Sequence, residues 1–294
     1  MTPRRGALLL SIAALAATGT AALVVAQRRN RAGQPKEPQG PLRSLWTEVD
    51  GVSIHARVSA RPTSGVLPVV LIHGYGMSGR YMLPIARRIA AEYPAYVPDL
   101  PGHGRSGKPE RTLSVPELAE ALRAWMDAVG LRRAAFLANS MGTQVVADLA
   151  ARHPERVERL VLVGPTLDPT HTLGQQMLRL VWTGAAERPS LIPLMIADYL
   201  RTRPGRLVKE LRAMFRDRIE EKLPRIDAPA MVVRGERDAV IPQPWAEEVA
   251  RLLGTDRFFV IPDAGHALNY SDADELMRLI RPFLREGERA LRRG

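Results

Sequence analysis

The sequence predicts an α/β protein: a doubly wound, mostly parallel sheet with an all-helical segment inserted late in it. Three observations carry that prediction. Short apolar runs of strand length alternate with segments of helical period along most of the chain. The alternation stops between about Asp168 and Ile226, where every periodic stretch is helical. And one turn, Ala138-Asn139-Ser140-Met141-Gly142, pins a serine between a strand end and a helix start.

In order, the chain begins with Arg4-Arg5 and then a run from Gly6 to Ala26 that is apolar or small and carries no charge. It reads either as a secretory signal peptide, with Val24-Val25-Ala26 as a cleavage site, or as a retained membrane anchor. Its length favours the anchor. Arg28, Arg29 and Arg31 outnumber the charges before the run, which leaves the side of the membrane undecided. Either way the protein is expected to be membrane-anchored or exported. Gln34 to Pro41, rich in Pro, Gly and Gln, is a linker, so residues 1–41 stand apart from the rest.

Leu45 to Val49 and Val52 to Ser59 alternate like two strands joined at Asp50-Gly51, a hairpin signal. Val66 to Ile72 is an apolar strand running into His73-Gly74-Tyr75-Gly76, followed by a helix to about Tyr93. Ala95 to Pro98 is a short strand ending at Asp99-Leu100-Pro101-Gly102-His103-Gly104-Arg105-Ser106. Ser114 caps a helix from Val115 to Val129. Ala134 to Leu137 is the strand before the pinned serine, and Thr143 to Arg152 the helix after it, with Val145, Val146, Leu149 and Ala150 on one face. Val157 to Val163, Pro229 to Arg234 and Arg257 to Ile261 are further strands, with helices at Pro244 to Leu253 and Asp272 to Arg285. The core is therefore 42–167 and 227–294, and 168–226 is an inserted helical lid over the strand ends. In that insertion Leu173, Met177, Leu180 and Val181 recur at helical spacing, as do Leu207, Val208, Leu211, Met214 and Phe215. Arg201, Arg203, Arg206, Lys209 and Arg212 read as its solvated face, with one arginine turned toward a substrate carboxylate as the alternative.

Composition removes several function classes. The chain has no cysteine, so a disulfide framework, a thiol nucleophile and cysteine-bound metal are excluded. Its formal charge is +11, of which residues 1–36 carry +6 and residues 171–226, with eleven Lys/Arg against six Asp/Glu, carry +5. No basic stripe interleaved with aromatics crosses the main body, so nucleic acid is not expected as a partner. No cluster of histidines and carboxylates suggests a metal, and no cofactor is called for.

The pinned serine is the centre of the chemistry. Its turn is tight, so the residues two before and two after it must be small, and Ala138 and Gly142 are. A serine hydroxyl is a poor nucleophile until a base takes its proton, and that base must be held by an acid. In a doubly wound sheet these groups come from loops at the carboxyl ends of strands. Asp238 follows the strand ending at Arg234, and His266 follows the strand ending at Ile261, in the order Ser, Asp, His. Glu236 is the fallback acid. A competing motif is Gly74-Tyr75-Gly76-Met77-Ser78-Gly79, a G-x-G-x-x-G with Asp99 at the next strand end, as in dinucleotide sites. It explains neither the serine turn nor the Asp238 and His266 loops, and is set aside.

Together these motifs resemble the lid-bearing serine hydrolases of the α/β-hydrolase fold, and the resemblance covers nearly everything after residue 45. His73 to Gly76 is similar to that family's HG-x-G oxyanion turn, Asp99 to Ser106 to its D-x-P-G-x-G-x-S signature, and Gly235 to Pro242 to its acid loop. The resemblance implies Ser140 as nucleophile, His266 as general base and then acid, and Asp238 as its orienting carboxylate. It implies an oxyanion hole from the backbone N–H groups of Tyr75 and Met141. His73 and His103 are expected to be structural, satisfied by nearby backbone. Tyr75, Met141, Ala267 and apolar side chains of the lid are candidate pocket walls.

A serine, rather than a carboxylate, at the nucleophile position disfavours epoxide opening and halide displacement. What remains is acyl transfer to water from a small apolar acyl substrate, with a carboxylic ester first. The elbow Asn139-Ser140-Met141-Gly142 also resembles that of the meta-cleavage-product C–C hydrolases, but those commonly place Trp where this chain has Ala267. A non-catalytic, membrane-tethered binding module is the third reading, and the full Ser-Asp-His set argues against it.

Overall fold

The apolar runs pair into one sheet whose faces are both covered. In the computed structural model the described residues are 40–59, 66–166, 168–171, 174–175, 179, 187–202 and 204–291. The leader reading for residues 6–26 and the helical repeat at Leu173, Met177, Leu180 and Val181 lie outside them. Strands β1 (Leu42–Val49), β2 (Val52–Ser59), β3 (Val69–Ile72), β4 (Ala95–Pro98), β5 (Ala134–Ser140), β6 (Val157–Pro165), β7 (Ala230–Gly235) and β8 (Phe258–Ile261) form a sheet of order β1-β2-β4-β3-β5-β6-β7-β8. The β1–β2 and β2–β4 pairs are antiparallel, and all pairs from β4 through β8 are parallel.

The alternation of side chains along each strand divides the core in two. Val70, Ile72, Phe136, Ala138, Leu160, Leu162 and Val232 pack with apolar residues of helices α2 (Val115–Ala128), α3 (Met141–Arg152) and α7 (Gln243–Leu252). Val69, Leu71, Ala135, Leu137, Val161, Val163 and Val233 pack with those of α1 (Leu83–Ile89), α8 (Leu268–Ser271) and α9 (Ala273–Leu291). Because both faces are buried, the central strands read as unbroken apolar runs. Each fully buried large side chain contributes about 1.5–3 kcal/mol relative to exposure.

Local signals set the element ends. Strand β3 starts at Val69 rather than Val66, after Pro68, which has no N–H to give a ladder. The helix expected to reach Tyr93 is a 3-10 turn over Gly79–Met82 followed by α1, and Pro94 closes the segment. Ser114 caps the start of α2, as the sequence suggested, and does so in a capping box with Glu117. Helix α9 runs on to Leu291, past the expected end at Arg285.

Between β6 and β7 the described chain is helical, with α4 (Ile192–Thr202), α5 (Pro204–Arg216) and α6 (Ile219–Lys222). Leu191, Met214, Ile219 and Leu223 bury it against the core, and polar bonds add to them. Ser78 Oγ donates to Asp198 Oδ2 at 2.6 Å, Tyr75 Oη to the Leu207 carbonyl at 2.9 Å, and Gln144 Nε2 to the Met214 carbonyl at 3.0 Å. His103 Nε2 lies 2.6 Å from Glu210 Oε1, both side chains being buried. Lys222 Nζ lies 2.8 Å from Asp148 Oδ1. Of the expected solvated face, Arg201, Lys209 and Arg212 are exposed, while Arg206 is half-buried and donates to the carbonyls of Pro109 and Arg111.

Candidate active site

Ser140 ends β5, the strand in the middle of the parallel region, and the next residue begins α3. The change of direction is made on Ser140 itself, which takes φ 54° and ψ −125°. A non-glycine residue in that region is strained. The strain is held because the turn is wedged against β3: a Cβ on Gly142 would sit 2.8 Å from the carbonyl oxygens of both Ile72 and His73. The small residue two places after the serine is thus required by the backbone of the neighbouring strand. Ala138, two places before, is wholly buried between Ile72 and Leu162.

Asp238 and His266 come from the loops after β7 and β8. His266 Nδ1 is 2.8 Å from Asp238 Oδ2. The other oxygen, Oδ1, accepts the N–H groups of Val240 and Ile241, each at 2.9 Å. The buried Arg234 guanidinium donates to the carbonyls of Asp238 and Ile241, which fixes the loop from beneath. Burial alone would make His266 less basic. The Asp238 carboxylate, by charge and by hydrogen bond, and Glu187 beyond it outweigh burial, against a small opposing effect of Arg234, so the imidazole is more basic than usual. With Nδ1 on the carboxylate, Nε2 is the nitrogen free to exchange a proton with a reacting group. Glu236, the fallback acid, accepts the N–H of Asp263 at 2.9 Å instead.

Ser140 and His266 line one small cavity of about 60 Å³, together with Gly74, Tyr75 and Asn139. Its apolar walls include Met77, Tyr81 and Ala267 from the core and Leu191, Met195 and Tyr199 from the helical segment. Tyr75 and Ala267 are therefore walls, as expected. The Met141 side chain is not; it is buried in the apolar core, and only its backbone belongs to the turn. Met141 is the first residue of α3, so its N–H has no acceptor within the helix. Tyr75 lies in the turn closed by Met77 N–H on the Gly74 carbonyl at 3.2 Å. No arginine is among the described residues that line the cavity.

His73 and His103 are held inside the fold, with one correction to the expectation that backbone alone satisfies them. His73 Nε2 accepts the Leu100 N–H at 3.0 Å and Nδ1 faces the Gly74 carbonyl at 3.0 Å. Burial, helped by His103, pushes its pKa down to about 3. His103 is held not by backbone alone but by Glu210 of α5; burial lowers its basicity and the carboxylate more than restores it. Asp99, the acid of the dinucleotide-like motif, is consumed inside the fold. It accepts from Gly79 N at 2.6 Å and Arg105 N at 2.9 Å, and its Oδ2 lies 2.9 Å from His55 Nδ1. Burial raises its pKa, but His55 and Arg57 hold it at about 2.

Two residues at the site, Gly164 and Glu187, went unnoticed in the sequence, and a third, Asn139, was read only as part of the turn. Gly164, at φ 51°, leaves room for the His266 ring: a Cβ there would be 2.9 Å from its Nδ1. Asn139 Nδ2 reaches the carbonyls of Val163 and His266, each at 3.2 Å, and ties two strand-end loops together. Glu187 Oε1 accepts the N–H groups of His266 at 2.8 Å and Ala267 at 3.0 Å. The Gly164-Pro165 break after an apolar strand was a readable signal; for Glu187 there was none.

Against known proteins, residues 69–279 match the model of the alpha/beta hydrolase family. The pimeloyl-[acyl-carrier protein] methyl ester esterase of Neisseria meningitidis serogroup B (strain H44/76) is 29% identical over 250 residues, covering 76% of this chain and 95% of that protein. Among solved structures, a membrane phospholipase A superposes with a TM-score of 0.71 at 23% identity, covering 96% of this chain and 99% of that one. Est816, an N-acyl homoserine lactone degrading enzyme, superposes with a TM-score of 0.72 at 25% identity, covering 81% and 100%.

Proposed function

The chain belongs to the alpha/beta hydrolase family and is a hydrolase, and from that premise we propose that it cleaves a carboxylic ester, or a related acyl compound, through an acyl-enzyme on Ser140. The observation that carries this reading is the bond of His266 Nδ1 to Asp238 Oδ2 beside a strained Ser140 in the same cavity. His266 Nε2 takes the Ser140 proton as Oγ attacks the carbonyl carbon. The carbonyl oxygen becomes an oxyanion, received by the N–H groups of Tyr75 and Met141; each such donor is worth about 3 kcal/mol of transition-state stabilisation. His266 then returns the proton to the leaving alkoxide, and an acyl–Ser140 ester remains. Water, deprotonated by the same nitrogen, attacks that ester and frees the acid and the serine.

The apolar walls favour an uncharged, apolar acyl group. At about 60 Å³ the cavity holds no more than a couple of waters, against the several hundred Å³ usual for ligand sites. Leu191, Met195 and Tyr199 of the helical segment wall it, so a shift of that segment would widen it for a larger substrate, which is the behaviour of a lid. The relatives' esterase and lactone-degrading activities support the same reaction class. The charge-free run at residues 6–26 supports a membrane-anchored or exported placement, which carbonate extraction of membranes tests directly. Among the described residues no helix is long and apolar enough to cross a membrane.

The test is hydrolysis of 4-nitrophenyl esters from acetate to palmitate by the wild type and Ser140→Ala. Activity abolished in the variant, with phosphonate labelling of Ser140 in the wild type, is the expected result. No ester cleavage by a folded wild type overturns the ester reading and moves the question to C–C substrates.

A further inference from the structure

Glu187 is a buried carboxylate beside a cavity whose other walls are mostly apolar. It is 8% exposed, and it comes from the helical segment rather than from the sheet. Its Oε1 receives two successive backbone N–H groups of the loop that carries the candidate base, those of His266 and Ala267. The loop is shaped to admit it: a Cβ on Gly265 would meet Glu187 Oε1 at 2.8 Å. Among the described residues that line the cavity with Ser140 and His266, it alone carries a carboxylate. We infer that Glu187 is a positioning residue for His266 and the group that makes the site select uncharged over anionic acyl chains.

The inference rests on the reading of Ser140 and His266 proposed above. Two physical consequences separate Glu187 from a mere cap on a loop. First, its charge adds to that of Asp238 in favouring the imidazolium. The charged groups facing His266 are Asp238, Glu187 and, opposing them, Arg234. Removing the Glu187 charge makes His266 less basic, so the acid limb of the activity profile moves to lower pH. Secondly, an acyl chain that ends in a carboxylate must enter a small, poorly hydrated space beside a second negative charge. Like charges that close in a low-dielectric site repel strongly. Burial, helped by Asp238, pushes the Glu187 pKa above the usual carboxylate value and outweighs the His266 charge and the two amides that pull it down. The exclusion therefore weakens as pH falls and Glu187 gains a proton.

The experiment compares two near-isosteric esters, 4-nitrophenyl butyrate and the 4-nitrophenyl monoester of succinate, on the full chain. The wild type is expected to prefer butyrate in kcat/KM. Glu187→Gln, which still offers an oxygen to both amides, is expected to raise the succinate-to-butyrate ratio by about tenfold. It should also shift the acid limb of the butyrate profile to lower pH. Glu187→Ala, which leaves both amides without an acceptor, is expected to lower kcat further than Glu187→Gln, and Glu187→Asp to restore the limb and the ratio toward wild type. An unchanged limb and ratio in a folded, phosphonate-reactive Glu187→Gln overturn the inference. A wild type that takes both esters equally overturns the charge selection whatever the variants do. A wild type that does not react with a phosphonate at Ser140 is a different failure, that of the reaction itself.

Discussion

The sheet and the helical segment above it are held by different mixtures of contact. Between the strands and α1, α2, α3, α7 and α9 the contact is apolar and closed, and Phe136, Leu137, Leu162 and Val233 are almost completely shielded from water. Between the segment and the core, Leu191, Met214, Ile219 and Leu223 join the apolar clusters, and paired polar groups are added to them: Asp198 with Ser78, Glu210 with His103, the Leu207 carbonyl with Tyr75, Glu187 with the His266 loop. Apolar burial is non-directional and grows with area, so it gives the sheet its stability. Hydrogen-bonded joints contribute only about 0.5–1.5 kcal/mol each, but they fix geometry and can be exchanged for water. The first kind of contact suits a platform that must hold reacting groups still. The second adds directional bonds to the segment that walls one side of the 60 Å³ cavity.

That contrast breaks if damage to the platform and damage to the cover look alike. The largest effect is expected for Asp238→Asn, which leaves the loop packed but removes the carboxylate that orients His266. Ester turnover should drop by about 10⁴-fold with little change in the thermal midpoint. Next is Phe136→Ala, which opens a hole in the sheet and should cost about 3–5 kcal/mol in denaturant unfolding. A loss under 1 kcal/mol there would mean that the sheet is not the rigid partner. Glu210→Gln should cost about 1–3 kcal/mol, with faster amide exchange concentrated in α5 rather than spread over the strands. Tyr75→Phe, which removes only the hydroxyl on the Leu207 carbonyl, should cost about 0.5–1.5 kcal/mol and again show first in α5.

A pH series sharpens the same contrast. Burial acts against charge on His103, but Glu210 leaves it more basic than a free histidine. A raised histidine contributes its stability fully below its unfolded pKa of about 6.5 and loses it as pH rises through the folded value. The α5 joint should therefore be tighter at pH 6 than at pH 9. Limited proteolysis of the segment, compared with that of the core, is the check; a joint equally resistant at both would contradict it.

What the sequence displayed and what it concealed follow from the range of the interactions. Ser140, Asp238 and His266 were legible because each sits in a short motif just past an apolar strand, and strand ends are visible as periodicity. The helix cap at Ser114 and the hairpin at Asp50-Gly51 were legible for the same local reason. The order of the strands was not, since nothing in β2 announces that β4 rather than β3 will pair with it. Glu187 was invisible because its partner, the His266 N–H, lies 79 positions away, and an acid near a proline in a polar stretch resembles any surface residue. His103 was judged on its neighbours in sequence, and its carboxylate comes from a helix that the core motifs do not mention. Asp99 shows the converse. Its spacing from Gly74-Tyr75-Gly76 mimics a ribose-binding acid, yet the carboxylate already has Gly79, Arg105 and His55 as partners.

The helical segment leaves the sheet after Pro165 and rejoins it at Ala230, at one interval between two adjacent parallel strands. The core is complete on either side of that interval, so the segment is a replaceable cassette. A change in its length falls outside the strand register that places Ser140, Asp238 and His266. The cost of such a change falls on the few side chains that reach across, and Glu187 is the one a graft would have to bring with it.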